Sequence, residues 1–153
     1  MKYNDALLPL VLDGTKTQTR RAMVPQLEVL GGWWKFADGT SAAGAHGWPD
    51  GEPTPKHRVG DVVAIEDAGG KVVGWHEITA VSYERVQDIS EADCLLEGIR
   101  RVTEGAWRAP GIPATWIAAV YAFEALWDSI AQPSFQWADN PRCFAYTFKA
   151  VSP

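Results

Sequence analysis

Cysteine is scarce in this sequence. Cys94 and Cys143 are the only two among 153 residues, and no Cys-x-x-Cys occurs. That excludes a readable zinc ribbon or dithiol redox motif and leaves two reduced, partly buried thiols as the expectation. His46, His57 and His76 show no metal-ligand spacing, so neither a metal nor a cofactor is expected. Long apolar runs are missing too. Stretches such as Trp116–Phe123 reach about eight residues, against the roughly 20 that span a bilayer. No apolar signal-peptide core follows Met1-Lys2-Tyr3-Asn4-Asp5. These gaps predict a soluble, cytoplasmic chain with no membrane partner.

Positive charge is also in deficit. Fourteen Lys and Arg face 19 Asp and Glu, a net charge of −5. A protein that grips a phosphate backbone is usually basic, because each neutralised phosphate needs a cation. The balance argues against avid, non-specific nucleic-acid binding. It is uneven along the chain, however. Residues 1–25 carry Lys2, Lys16, Arg20 and Arg21 against Asp5 and Asp13, whereas residues 84–104 hold three basic and six acidic side chains. Should these segments meet, a basic cluster faces an acidic one, which suits a small-ligand site better than a duplex-binding face.

What is present reads as one domain over residues 1–153, with a long Gly-, Pro- and Trp-rich insertion at about 28–58. Leu7, Leu8, Val11 and Leu12 predict a short helix starting near Pro9 or distorted there, stopped by Gly14. In the insertion, Trp33–Phe36 and Gly39 suggest a short hairpin, and Trp33, Trp34 and Trp48 are candidate stacking platforms for a base. Val62–Ile65 and Lys71–Val81 predict two strands turning at Gly69-Gly70. Ser90-Glu91-Ala92-Asp93 matches a capping box, with Ile89 and Cys94 as its staple, and predicts a helix to about Glu97 with Gly98 as left-handed terminator. Pro113–Ile130 contains an amphipathic helix that puts Trp116 and Trp127 on its apolar face. Phe144, Tyr146 and Phe148 alternate as a final strand.

The candidate chemistry lies in Gly14-x-Lys16-x-x-Thr19-Arg20-Arg21. The segment is polar and has no apolar periodicity, so packing alone does not explain it. Lys16 and Thr19 share one side in a turn but oppose each other in a strand. Together they make a nucleophile with its activating amine, or an ammonium that steadies a developing anion. Arg20 and Arg21 offer planar forks for phosphate or carboxylate. The competing reading is a solvated basic turn after a helix. Glu97, in the last turn of its helix, faces the negative end of the macrodipole, a position that raises a carboxylate's proton affinity and suits it to acid–base work. Asp88, Glu91 and Asp93 read as capping partners, and Glu66 as a possible site rim.

Four segments in order resemble ASCH-domain proteins, relatives of the PUA domain, especially those of bacteriophages and prophages. They are Leu12–Arg21 with Val24-Pro25-Gln26, Gly60-Asp61 opening a strand, Val86–Glu91 through Glu97-Gly98-Ile99, and Leu126–Ile130 with Asn140-Pro141. The resemblance spans most of the chain except residues 28–57. It implies an α+β fold, a PUA-like small mixed β-barrel with two or three peripheral helices. It also implies a cleft lined by the Gly-x-Lys-x-x-Thr-x-Arg segment that binds a modified nucleoside or single-stranded nucleic acid. One bacterial branch of that family is an amidohydrolase that turns N4-acetylcytidine into cytidine and acetate with a lysine, a threonine and a glutamate. By resemblance these are Lys16, Thr19 and Glu97. Thr17, Arg20, Arg21, Glu66 and Trp34 are then the expected substrate contacts. The arginine that usually precedes the strand glutamate is absent, since Gly60-Asp61 runs into Ile65-Glu66-Asp67. A non-catalytic RNA- or DNA-binding module, a ribonuclease, or a phage accessory protein working through protein contacts are the alternatives. A phage-encoded chain would work in the cytoplasm of its bacterial host.

Overall fold

The alternation of Phe144, Tyr146 and Phe148 builds the strand on which the rest of the molecule hangs. The computed structural model describes residues 1–23 and 55–151, together with the backbone of Leu27–Leu30 and Trp33–Phe36. In chain order the elements are α1 (Leu8–Leu12), β1 (Gln18–Ala22), β2 (Leu27–Leu30), β3 (Trp33–Phe36), β4 (Val62–Glu66), β5 (Val72–Arg85), α2 (Glu91–Leu96), β6 (Arg100–Thr103), β7 (Ala106–Arg108), α3 (Ala119–Ile130) and β8 (Arg142–Val151).

Four strands form one antiparallel sheet in the order β1-β8-β5-β4. Tyr146 of β8 pairs with Thr19 on one side and Val81 on the other. β5 is 14 residues long, and its register against β8 slips between Ile78 and Ala80. A bulge of that kind bends the strand and sharpens its twist. The sheet accordingly curls into a half-barrel. Residues 1–3 reach across its open side. Lys2 bridges Glu66 in parallel, with Tyr3 N–H donating to Glu66 O at 3.0 Å and Glu66 N–H to Met1 O at 2.9 Å. From the opposite edge, Arg21 Nη2 of β1 donates to Lys2 O at 2.8 Å. Tyr3 is buried in the seam under the Arg21 guanidinium, 5.4 Å from its ring centre.

The helices follow from local chemistry. Pro9 lies in the first turn of α1, where its missing N–H costs no hydrogen bond. Ser90 caps α2 by accepting from Asp93 N–H at 3.0 Å, and the staple residues Ile89 and Cys94 are both buried. Gly98 ends the turn at φ +95°. α3 buries Phe123, Leu126 and Trp127, each contributing roughly 2–3 kcal/mol of apolar burial. It starts at Ala119 rather than near Pro113. Both backbone groups of Trp116 are committed to Trp107 at 2.8 and 2.9 Å, an extended bridge that keeps Trp116 off the helix.

Three strands depart from the sequence expectation. Gln18–Ala22 is an edge strand with its first three residues buried, not a solvated turn. Its inward side chains are polar because they meet ionised partners, so apolar periodicity never marks it. The β6–β7 hairpin was not anticipated either, since all four residues of β6 are exposed and carry no buried face. Trp33–Phe36, expected in a hairpin with Gly39, is a strand that pairs with the preceding β2 from Leu27↔Phe36 to Leu30↔Trp33, and Gly39 lies outside the described residues. Val24-Pro25-Gln26 and Trp48 lie outside the described residues, as do the side chains of Trp33 and Trp34. Among the described residues no helix is long and apolar enough to cross a membrane. Cys94 and Cys143 are buried free thiols, each pushed up to about 12 by burial.

Candidate functional site

Lys16 follows the Gly14 turn, and its backbone N–H donates to Leu10 O at 2.7 Å, which directs the side chain inward. The side chain is 1% exposed. Nζ donates to Gln18 O at 2.8 Å, to Glu97 O at 3.1 Å and to Glu97 Oε2 at 2.5 Å. Burial lowers the Lys16 pKa from its ordinary value, and the facing Glu97 carboxylate opposes that shift.

Glu97 is itself buried, as the C-terminal cap of α2. Left alone there, a carboxylate would oppose the helix dipole. Two cations answer it instead. Oε2 takes Lys16, and Oε1 accepts from Arg20 Nη1 at 3.0 Å. The buried Arg20 guanidinium spends its other donors on Glu84 Oε1 (2.7 Å from Nε, 2.6 Å from Nη2) and on Gln18 Oε1 at 2.6 Å, with Asp93 Oδ2 at 3.4 Å. The open phosphate fork expected at Arg20 is therefore turned inward, its charge met by three carboxylates. Gln18 completes the network by donating Nε2 to Asp93 Oδ1 at 3.2 Å and to Thr147 Oγ1 at 3.4 Å.

Of the basic segment 1–25 and the acidic segment 84–104, whose meeting the sequence left as a condition, Lys16 and Arg20 do meet Glu84, Asp93 and Glu97. Buried pairs of this kind gain little net stability, because desolvation offsets their attraction. A network that costs so much to bury is a reasonable place to look for function.

Beside the network lies a cavity of about 120 Å³. A water takes roughly 30 Å³ of the liquid, so the space suits one small ring or acyl group rather than a chain. Lys16, Thr19, Arg20, Arg21 and Glu97 form its polar wall; Tyr3, Leu7, Phe123, Leu126 and Trp127 are on the apolar side. Thr19, Arg20 and Arg21, residues of both parities in the edge strand β1, border this one space. Thr19 is buried, and among the described residues its hydroxyl makes no hydrogen bond. Arg21 keeps donors to spare. Apart from Nη2, bound to Lys2 O, its buried Nε has no partner among the described residues.

Lys16, Thr19, Glu97, Arg20 and Arg21 are thus gathered around one cavity. Thr17 is not. Its backbone ties β1 to its neighbours, donating to Leu96 O at 3.0 Å and accepting from Phe148 N–H at 2.8 Å. Glu66 sits at the barrel seam, pairing with residues 1–3 through its backbone, and does not line the cavity. The Trp34 side chain lies outside the described residues. Sequence reasoning missed Gln18, Glu84, Tyr3 and the α3 residues of the wall. Glu84 left only the acidic surplus of its segment as a signal. Asp93, read as a cap, both supports Ser90 and faces Arg20.

No protein-family model matches this sequence, and no curated protein matches it. Solved structures do. The crystal structure of an ASCH domain from Lactobacillus crispatus JV V101 aligns over 97% of this chain and 79% of its own, with a TM-score of 0.54 and 15% identity. A protein from Enterococcus faecalis V583 described under DUF984 aligns over 95% and 66%, with a TM-score of 0.52 and 17% identity. At such identities the likeness concerns the fold. The chain shares the fold of these structures, an α+β fold whose curled antiparallel sheet forms a half-barrel, with three α-helices among the described residues.

Proposed function

We propose that this protein binds a single nucleoside, or one base turned out of a strand, and removes an N-acyl group from it. The observation that supports the reading most is the convergence of Lys16, Thr19 and Glu97 on one small cavity, from two segments far apart in sequence. The sequence resemblance supplies the substrate class, an N4-acylated cytidine.

In this reading the Lys16–Glu97 pair holds one proton that moves between Nζ and Oε2. With the proton on Glu97, neutral Lys16 takes the Thr19 proton as Oγ bonds to the acyl carbon. The Lys16 ammonium and the spare Arg21 donors stabilise the oxyanion. Glu97 then protonates the leaving nitrogen as the C–N bond breaks. Water adds to the Thr19 ester, giving its proton to Glu97 while Lys16 returns a proton to Oγ. Acid and amine leave, and the pair ends as it began. The apolar wall of Phe123, Leu126 and Trp127 receives the base or acyl group.

Mass spectrometry of N4-acetylcytidine incubated with the protein tests this. Wild type is expected to release cytidine and acetate, Thr19→Ser to keep part of the activity, and Thr19→Ala to lose at least about a hundredfold in kcat while still binding. Full turnover by Thr19→Ala would refute the nucleophile.

A second reading, binding without chemistry, is favoured by one observation. All three Nζ donors of Lys16 are already taken by protein oxygens. It predicts saturable binding of the nucleoside with no product from the wild type.

A further inference from the structure

The β6–β7 hairpin places Arg100 directly opposite Arg108. Like charges facing each other across an antiparallel pair destabilise it. Arg100 is exposed to solvent and Arg108 is half-buried. Among the described residues neither guanidinium makes an ion pair or a hydrogen bond, and Arg108 Nε is buried with no partner. A buried donor without an acceptor costs free energy and calls for an explanation. Of the six acidic side chains at 84–104, Glu84, Asp93 and Glu97 are committed to Arg20 and Lys16, and among the described residues Asp88, Glu91 and Glu104 form no ion pair with either arginine.

Both arginines line a cavity of about 590 Å³, between α1 and the chain that follows β7. Its walls include Leu10, Thr15, Gly98 and Ile112, and no carboxylate contributes. The size falls within the range of small-molecule sites. The cavity is separate from the one beside Thr19. Adjacent residues divide between the two, Lys16 and Glu97 lining one, Thr15 and Gly98 the other. In a chain of net charge −5, an uncompensated arginine pair in a concave site without acidic lining is built for an anion.

The geometry points to a phosphate-binding site formed by Arg100 and Arg108. Two guanidinium forks hold the oxygens of a phosphate ester, and the ester's substituent occupies the rest of the groove. The phosphate belongs either to a free nucleotide or to the backbone of a single strand. The site stands independently of any chemistry at Thr19.

The test measures melting temperature and binding with three probes: inorganic phosphate, cytidine 5′-monophosphate and a short single-stranded oligouridylate. Phosphate is expected to raise the melting temperature of the wild type, and the double variant Arg100→Gln/Arg108→Gln to abolish that rise. Without ligand the double variant is expected to melt at or above the wild-type temperature, because it removes the repulsion and the orphaned donor. Arg108→Lys keeps the charge but loses the fork, so it should bind several-fold more weakly. For a strand, the log–log salt slope falls by about 0.7 per lost phosphate contact in the double variant. If only phosphate and the mononucleotide bind, the natural ligand is a free nucleotide. No stabilisation by phosphate, equal phosphate binding by the double variant, or a double variant that melts far below wild type would each overturn the assignment. Inorganic phosphate carries no base to occupy the cavity beside Thr19, so its binding and the proposed reaction fail separately.

Discussion

Lys16 and Glu97 stand 81 positions apart in sequence, yet Nζ lies 2.5 Å from Oε2 with both side chains buried. Each anchors the other. Lys16 also reaches the backbone of Gln18, and Glu97 also binds Arg20. The pair ties the start of β1 to the end of α2 and forms the polar wall of the cavity.

Removing one member strands the other's charge. Glu97→Gln and Lys16→Met are each expected to cost about 3–5 kcal/mol in urea unfolding. The double variant should cost clearly less than the two losses combined. Additive losses in the double-mutant cycle would show that the two side chains do not support one another.

Gly98 is held at φ +95°, and a Cβ there would sit 3.1 Å from Leu10 Cδ1 and 3.8 Å from Lys16 Cβ. Gly98→Ala combines backbone strain with crowding at the base of the site, so a loss of about 1–3 kcal/mol is expected. A thermal melt identical to wild type would contradict this.

Ser90 gives its hydroxyl oxygen to Asp93 N–H and its proton to Asp93 Oδ2 at 2.8 Å. Ser90→Ala should lower stability by about 1 kcal/mol. Because Asp93 also faces Arg20, a larger loss in chemical denaturation would reveal coupling between the cap and the buried network.

His76 is fully buried, stacked on Phe148 at 4.3 Å, and burial drops its pKa from 6.5 to about 4. The unfolded chain therefore binds this proton more readily than the folded one. Stability from this group is complete above about pH 6.5, declines as pH falls towards 4, and is lost below that, by up to about 3 kcal/mol. His76→Phe should flatten this part of the stability–pH curve. A slope that survives the substitution belongs to other groups.

Local instructions were written plainly in the sequence. The Ser90 cap, the Ile89–Cys94 staple, the Gly98 terminator and the alternation of β8 all depend on neighbours within a few residues, and all are seen in place. The opposite charge surpluses of an early and a later segment were legible, but that they meet was not, because the contact depends on how the chain folds back. The extended conformation of Gln18–Ala22 was hidden, because a strand that buries ions shows no apolar rhythm. The start of α3 was hidden because the partner that holds Trp116 extended, Trp107, is remote from it in helical spacing.

Composition and short-range pattern by themselves determined the class of fold, the cap and terminator of α2 and the polar segment that holds Lys16, Thr19 and Arg20. Only the tertiary structure decided that Arg20 turns inward while Arg21 keeps free donors, that Glu66 belongs to the seam, and that Arg100 and Arg108 face each other across an unexpected hairpin. The reason is that a charged side chain's role depends on which counter-charge comes within hydrogen-bonding distance. Curling and closure of the sheet bring those partners together across dozens of residues, beyond the reach of any local pattern.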